Sequence, residues 1–501
     1  MTSTPLPTAP PSAQGVDANG VLAFLDALEA HPDVEPHSVM LLRGGKVVAQ
    51  GWWAPFSADR VHLLYSLSKT FTASALGFAV AEGLVGLDDA VVDHFPEFAR
   101  EIRGRSRRIL VRHAAAMATG HHGEMAEVAQ RTDPREPVRG FLLHEPESEP
   151  GTRFAYNQPA TYCVAAIVQR AAGTTLLEYL RPRLLDPLGI GPSSWQQHPP
   201  GRDLGFTGLH ATTDAIARLG QLYLQDGVWH GEQLLPAGWA EQVRTKHVET
   251  PSEPNIDWRQ GYGFQVWQAR HGYRGDGAFG QFCVILPEYD AVLATTMSTE
   301  SMQAVLDAAW EHLLPALGGG NPSAEADAAL AERLAGLALP PLEGAQDPGR
   351  ADAGGADAGG PDAGRAASEA GGAGAAGTWG GTYRASGPAD SAAGVPAVAE
   401  LERDGDGWTV VLHDGVLTVR LPVPGGTWRV AEGRDGVPTV ATSGGWSGGV
   451  LRVDALLLET PHRLQVALHP DRRLVTRWVN APLGGAFGAL LRDLQAPRPL
   501  G

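Results

Sequence analysis

Apolar positions recur at helical spacing over residues 17–30, where Val21, Leu22, Leu25 and Leu28 fall on one stripe; the pattern predicts a first helix. The period then changes. Residues 38–53, SVMLLRGGKVVAQGWW, are two apolar runs around Arg43, Gly44 and Gly45, the pattern of a hairpin at one edge of an antiparallel sheet. Residues 66–85 are long, largely apolar and free of proline, which predicts a buried helix ending near Gly83 or Gly86. From about 108 to 230 the spacing is mostly helical, with segments such as ATYCVAAIVQRAAG and TTDAIARLGQLYLQDG each closed by a glycine. Strand-like runs return over 261–297, and MQAVLDAAWEHLLPAL follows as a terminal helix. The expectation is an α+β domain over 16–338. Both ends of the domain complete one sheet, helices flank it, and a helical subdomain occupies about 90–230 with the site between the two.

Residues 344–377 contain no Val, Ile, Leu, Met or aromatic side chain and therefore have nothing to bury. A flexible linker over 339–377 is expected; as a Gly-rich coil the 34 residues 344–377 would span on the order of 30 Å. Beyond it the period is nearly all two. WTVVLHDG, VLTVRLPV, GVLRVDALLLE, RLQVALHP and RLVTRWV alternate, with Asp-Gly pairs at 404, 406, 414 and 435. About six to eight short strands over 378–485 suit a small all-β barrel or sandwich. Residues 1–15 and 486–501 are expected to be tails.

Composition narrows the function. The chain has 501 residues, with 56 Asp plus Glu against 39 Lys plus Arg and a net charge of -17. Such a surface works against nucleic-acid phosphates and anionic lipid. The N-terminus has no charged start followed by an apolar run, and no stretch of about 18 apolar residues occurs. Neither a secretion signal nor a membrane partner is expected, and the expected compartment is cytoplasmic. The two cysteines, Cys163 and Cys283, lie in apolar surroundings and read as buried free thiols. Lysine is scarce: Lys46, Lys69 and Lys246 are the whole set.

One of these lysines stands out. Ser66 and Lys69 are three residues apart at the start of the buried helix, so they project from one face within reach of each other. Burial lowers a lysine's pKa, and a neutral amine takes the proton of a serine hydroxyl, as an acyl-transfer nucleophile requires. The plainer alternative is that Ser66 caps the helix and Lys69 reaches solvent.

Taken together, YSLSKTFTA, PGTRFAYNQPATY (150–162) and GDGAFGQ (275–281) resemble, in order and spacing, the three signature segments of the serine β-lactamase and penicillin-binding-protein superfamily. The resemblance covers roughly 17–317 and is strongest to class C β-lactamases and their esterase and D-amino-acid peptidase relatives. It implies Ser66 as nucleophile, Lys69 as its base and Tyr156 as a proton shuttle whose pKa Lys69 lowers. It also implies an oxyanion hole from the Ser66 and Ala278 amides, with Gln158, Asp276 and Gly277 contacting substrate and no metal or other cofactor. Two departures bear on substrate. Gln158 replaces the family's shorter Asn, and Gly275-Asp276-Gly277 replaces its cation, hydroxyl and Gly, so the group that attracts a β-lactam carboxylate is missing and Asp276 would repel one. Arg274 either compensates or is a solvated strand-end arginine. The β-domain resembles a lipocalin-like barrel; it either covers the cleft and selects substrate, or only stabilises the chain or makes a dimer contact.

Other motifs carry less. Gly445-Trp446-Ser447-Gly448-Gly449 matches a nucleophile elbow, but the strand pattern VLRVDALLL follows where a helix is required. His121 and His122 lack Cys or carboxylate at ligand spacing, and His210 reads as a brace beneath the pocket. The resulting expectation is a serine hydrolase acting on a small ester or amide, with no nucleic-acid or membrane partner and a homo-oligomer open. An acyltransferase or peptide cyclase of the same fold and a non-catalytic ligand-binding homologue are the alternatives.

Overall fold

The computed structural model describes residues 4–348 and 379–483, apart from positions 406, 414, 416 and 435. The described residues divide into two compact units, one up to Leu337 and one from Ala338 onward.

The first unit is built on a six-stranded antiparallel sheet. Its strands are β1 (Glu35–Arg43), β2 (Lys46–Trp52), β3 (Trp267–Gln268), β4 (Tyr273–Gly277), β5 (Gln281–Leu286) and β6 (Ala291–Ser298), in the spatial order β2-β1-β6-β5-β4-β3. β1 and β2 form the hairpin read from the sequence, with Gly44 and Gly45 at φ +57° and +72° in its turn. The late strands close onto β1 through β6, Leu41 opposite Leu293, so both ends of the unit share one sheet. Every position of β5 and β6 is buried, which requires cover on both faces and suits their largely apolar sequences.

Helix α1 (Ala18–Ala30) starts at Asp17, whose carboxylate accepts from the Asn19 amide. Helix α2 (Ser68–Ala81) follows a short 3-10 turn at Tyr65–Leu67 and is buried over most of its length. Three of its hydroxyls are tied to neighbouring segments, while Thr70 Oγ1 is buried without a partner among the described residues. Ser68 Oγ accepts from the Leu209 amide, Thr72 Oγ1 donates to the Gly205 carbonyl, and Ser74 Oγ pairs with the Tyr223 hydroxyl. These bonds fasten the 205–209 segment along the helix that carries the Ser66 motif.

The middle block is more broken than its helical spacing predicts. Short helices at Val111–Ala115, Ala126–Thr132 and Pro137–Leu142 precede helix α3 (Gln158–Ala172). A small three-stranded sheet of His62–Leu63, Leu209–Ala211 and Ser194–Trp195 sits among them. Helix α4 (Thr213–Leu224), expected in the helical subdomain, instead packs on β1, β5 and β6 of the main sheet. Cys163 and Cys283 are free and buried. Among the described residues no helix is long and apolar enough to cross a membrane.

The second unit is all β. Its strands form antiparallel sheets of four and five strands, more strands than the sequence pattern suggests. Among the described residues they do not join into a closed hydrogen-bonded barrel; an isolated parallel bridge between Arg384 and Arg473 connects the first strand region to the last. Of the expected linker, residues 349–377 lie outside the described residues, as do the tail from 484 onward and the Asp at three of the four Asp-Gly pairs. Residues before 349 are described within this unit, where Ala345 bridges Trp446. Ser447 ends a strand, Val440–Ser447, that turns directly into the strand Val450–Leu457, so the elbow-like motif is a hairpin.

Candidate active site

The Ser66 motif sits on a backbone held in an uncommon conformation. Tyr65 has φ +47°, a region that non-glycine residues occupy only at a cost. Its ring packs edge-on against Phe279, 5.4 Å away, itself at φ +68°. The two positive-φ residues flank the place where the turn before α2 meets the end of β4. That approach is close: a Cβ on Gly277 would lie 2.0 Å from the Leu64 carbonyl oxygen, and one on Gly275 2.2 Å from Thr70 Oγ1. Glycine at 275 and 277 is therefore a packing requirement of this chain.

Lys69 lies beneath Ser66 and is 1% exposed. Its Nζ donates to Gln158 Oε1 at 2.7 Å and to the Phe206 carbonyl at 2.8 Å, and stands 2.9 Å from Ser66 Oγ. Burial pushes its pKa down to about 7, against the opposing pull of Glu124 and Asp276. Two of the three partners can only accept. A neutral amine therefore spends both hydrogens on Gln158 and Phe206 and presents its lone pair to the one partner that can donate, the Ser66 hydroxyl.

Tyr156 lies just before α3 and hydrogen-bonds to the Ser66 side chain. The Lys69 ammonium sits 4.8 Å from its ring centroid. The sequence reading has Lys69 lowering the phenol's pKa; the structure gives the opposite direction. Burial raises it, the Asp276 charge raises it further, and the Ser66 hydrogen bond only partly offsets them. The ring stacks on Trp267 at 5.5 Å in a cluster with Phe154 and Tyr262.

Gln158 is the first residue of α3, and its amide donates to the Glu124 carboxylate. Its longer side chain reaches Lys69, while Asn157 turns inward and accepts from the Met125 amide. Ala278 is partly exposed at the end of β4. Among the described residues, neither its amide nor that of Ser66 has a protein acceptor.

Asp276 and Arg274 depart from expectation. Arg274 is not solvated: it is fully buried, lies 4.3 Å over the Trp258 ring, and donates from Nη1 to the Asp257 and Gln268 carbonyls. Its Nε pairs with Asp276 Oδ2 at 3.2 Å. Asp276 is buried as well, with Trp267 as a second donor. The cation beside the third motif is thus already neutralised from within the protein.

Phe206, Glu124 and Trp267 were not singled out from the sequence. Phe206 acts through a backbone carbonyl that any residue supplies, so no side-chain signal existed. His121 binds Thr119 Oγ1 and the His144 carbonyl, and His210 lies in the three-stranded sheet paired with Leu63.

The β-lactamase family model matches residues 25–316, more than half of the chain and all three motifs. The chain belongs to the β-lactamase family. Within it, this β-lactamase-family protein is 24% identical over 314 residues to the 6-aminohexanoate-dimer hydrolase of Paenarthrobacter ureafaciens, covering 55% of this chain and 77% of that one. Its fold is similar to that of a Bacillus anthracis protein named as a candidate 6-aminohexanoate-dimer hydrolase, with TM-score 0.52 and 18% identity over 63% of this chain and 89% of the other. It is also similar to EstCE1, a hydrolase with promiscuous acyltransferase activity, with TM-score 0.50 and 17% identity over 62% of this chain and 100% of the other. These likenesses are of fold. The family is one of serine hydrolases, and this chain carries its mixed α/β architecture.

Proposed function

We propose that the protein cleaves a small ester or amide through an acyl-enzyme on Ser66, as the esterase and amidase branch related to class C β-lactamases does. The observation that carries this reading is the bonding of Lys69: with Gln158 Oε1 and the Phe206 carbonyl as obligate acceptors, its lone pair has only Ser66 to serve. Lys69 takes the Ser66 proton as Oγ attacks the acyl carbon. The Ser66 and Ala278 amides, free of protein acceptors, receive the developing oxyanion. Tyr156, kept protonated, hands its proton to the leaving oxygen or nitrogen and takes back from Lys69 the proton that Lys69 accepted from Ser66. Water then attacks the acyl group, and the reverse proton path restores Ser66.

The substrate class follows from charge. Arg274 is spent on Asp276, so no cation waits beside the third motif for a carboxylate next to the scissile bond, and a β-lactam or a peptide with a free C-terminus there is disfavoured. One relative of this chain is named as a hydrolase of the 6-aminohexanoate dimer. EstCE1 is described as a hydrolase with acyltransferase activity, and the same acyl-Ser66 partitions to an amine wherever one outcompetes water.

Labelling with a fluorophosphonate probe, read by peptide mass spectrometry, is expected to place the adduct on Ser66 and to fail in Ser66→Ala. A folded protein that takes no adduct overturns the reading and leaves a non-catalytic ligand-binding homologue. Product ratios with an added amine then separate hydrolysis from acyl transfer.

A further inference from the structure

A cleft of about 570 Å³ is lined by Phe154, Tyr156, Arg153 and the 246–253 segment. Tyr156 lines this cleft and also borders Ser66, so the cleft adjoins the Ser66 site at that residue. Most of its polar side chains are already committed. Lys246 pairs with Glu249 at 2.7 Å, His122 Nε2 with Ser148 Oγ at 2.7 Å, and His247 stacks on Phe264 at 3.8 Å while bonding the Gln242 carbonyl.

Glu253 differs. It is half-buried, and among the described residues its carboxylate has neither an ion-pair nor a hydrogen-bond partner. Burial and the nearby Asp276 charge raise its pKa, the mark of a carboxylate lacking a compensating cation. Arg153, the other uncommitted charge, is exposed on the rim, where water solvates a guanidinium fully. Phe154 lines the cleft together with Glu253, and an ammonium group suits both a carboxylate and an aromatic ring.

We infer that Glu253 is a specificity-determining residue that binds a cationic amine of the substrate, seated in this cleft beside Phe154. The inference rests on the acyl-Ser66 reading for its placement and deepens it: the preferred ester or amide carries an alkylammonium group and no carboxylate.

The test is protection of Ser66 from the fluorophosphonate by three probes of equal length: n-hexylammonium, hexanol and hexanoate. In the wild-type chain n-hexylammonium is expected to protect at a concentration roughly tenfold lower than hexanol, the ratio a partly desolvated ion pair supplies, and hexanoate least. Glu253→Gln is expected to erase the preference while its thermal unfolding stays cooperative. Arg153→Gln, on the same rim, is expected to keep it. Equal protection by n-hexylammonium and hexanol, an unchanged preference in Glu253→Gln, or strongest protection by hexanoate overturns the inference. Should Ser66 take no label, the functional reading fails separately. Calorimetric titration with n-hexylammonium then decides this one: saturable binding lost in Glu253→Gln upholds it, and no binding overturns it.

Discussion

Arg274 Nε and Asp276 Oδ2 meet 3.2 Å apart in the interior, side by side on the last strand before the candidate oxyanion position. Residues two apart on a strand share a face, so the two neutralise each other where relatives with a lysine or histidine in the third motif keep a cation for substrate. The pair also sets the field around the proton-transfer groups. Asp276 opposes the drop in the Lys69 pKa and adds to the rise at Tyr156.

Replacing Asp276 by Asn therefore has two separable effects. Removing the anion withdraws its support for the Lys69 ammonium, so the Lys69 pKa falls and the acidic limb of the acylation profile moves to lower pH. The buried Arg274 also loses its counter-charge, which costs on the order of 3–5 kcal/mol. Thermal unfolding measures the second effect and the pH profile of fluorophosphonate labelling the first; a limb that stays in place or moves upward removes Asp276 from the electrostatics of the site.

For the unmodified chain, Lys69 at about 7 sets the limb itself. The base is the neutral amine, present above the pKa, so the labelling rate of Ser66 is expected to rise with pH through about 7 and level off above it. Lys69→Ala is expected to lose labelling by about a hundredfold or more and to flatten the limb. A wild-type rate that does not change from about pH 5.5 to 8.5 is incompatible with Lys69 as base.

Several of these relationships were legible in the chain, and the remainder were not, for identifiable reasons. Three-residue spacing put Ser66 and Lys69 on one face, and the hairpin at Gly44-Gly45 and the return of strands after 261 gave the sheet. The Arg274 and Asp276 pairing was within reach of the period-two rule, yet strand periodicity does not say which face is buried when neighbouring strands are apolar throughout. Helix α4 has the same amphipathic spacing whether it packs on other helices or on a sheet, so its partner had to come from the fold. The Phe206 carbonyl leaves no trace in side-chain chemistry, and Glu253 gains its setting only from the fold of the 246–253 segment beside Tyr156. In the second unit the alternation predicted strands but not the break between its two sheets.

Tyr156→Phe isolates the phenolic hydroxyl. The ring stays in the cluster with Trp267, Phe154 and Tyr262, so the melting temperature should change little. Loss of a general acid lowers turnover by about 10²–10⁴-fold. The loss is expected to be smallest for esters with good leaving groups, which need no proton, and largest for amides. Because burial and Asp276 raise the phenol's pKa, tyrosinate at this position should not form in the neutral range; an absorbance change from Tyr156 titrating near pH 7, absent in the Phe variant, would contradict the raised value.

Asp203 supplies a test of stability rather than chemistry. It lies in the segment that leads to Phe206, where its carboxylate accepts from the Leu177 amide and Gln197 Nε2 and its backbone pairs with the Gln169 amide group. Burial raises its pKa from 3.8 to about 6 despite those bonds. A carboxyl whose folded pKa exceeds its unfolded value binds protons more tightly in the folded state. It therefore contributes stability in full below about pH 3.8 and loses it as pH rises through about 6. Asp203→Asn cannot ionise, so whatever fixed offset it carries from altered hydrogen bonding, its melting temperature relative to wild type should climb between about pH 5 and pH 7.5. A difference that stays constant over that window would mean that Asp203 does not titrate there, and that the segment holding the Phe206 carbonyl against Lys69 carries no buried charge.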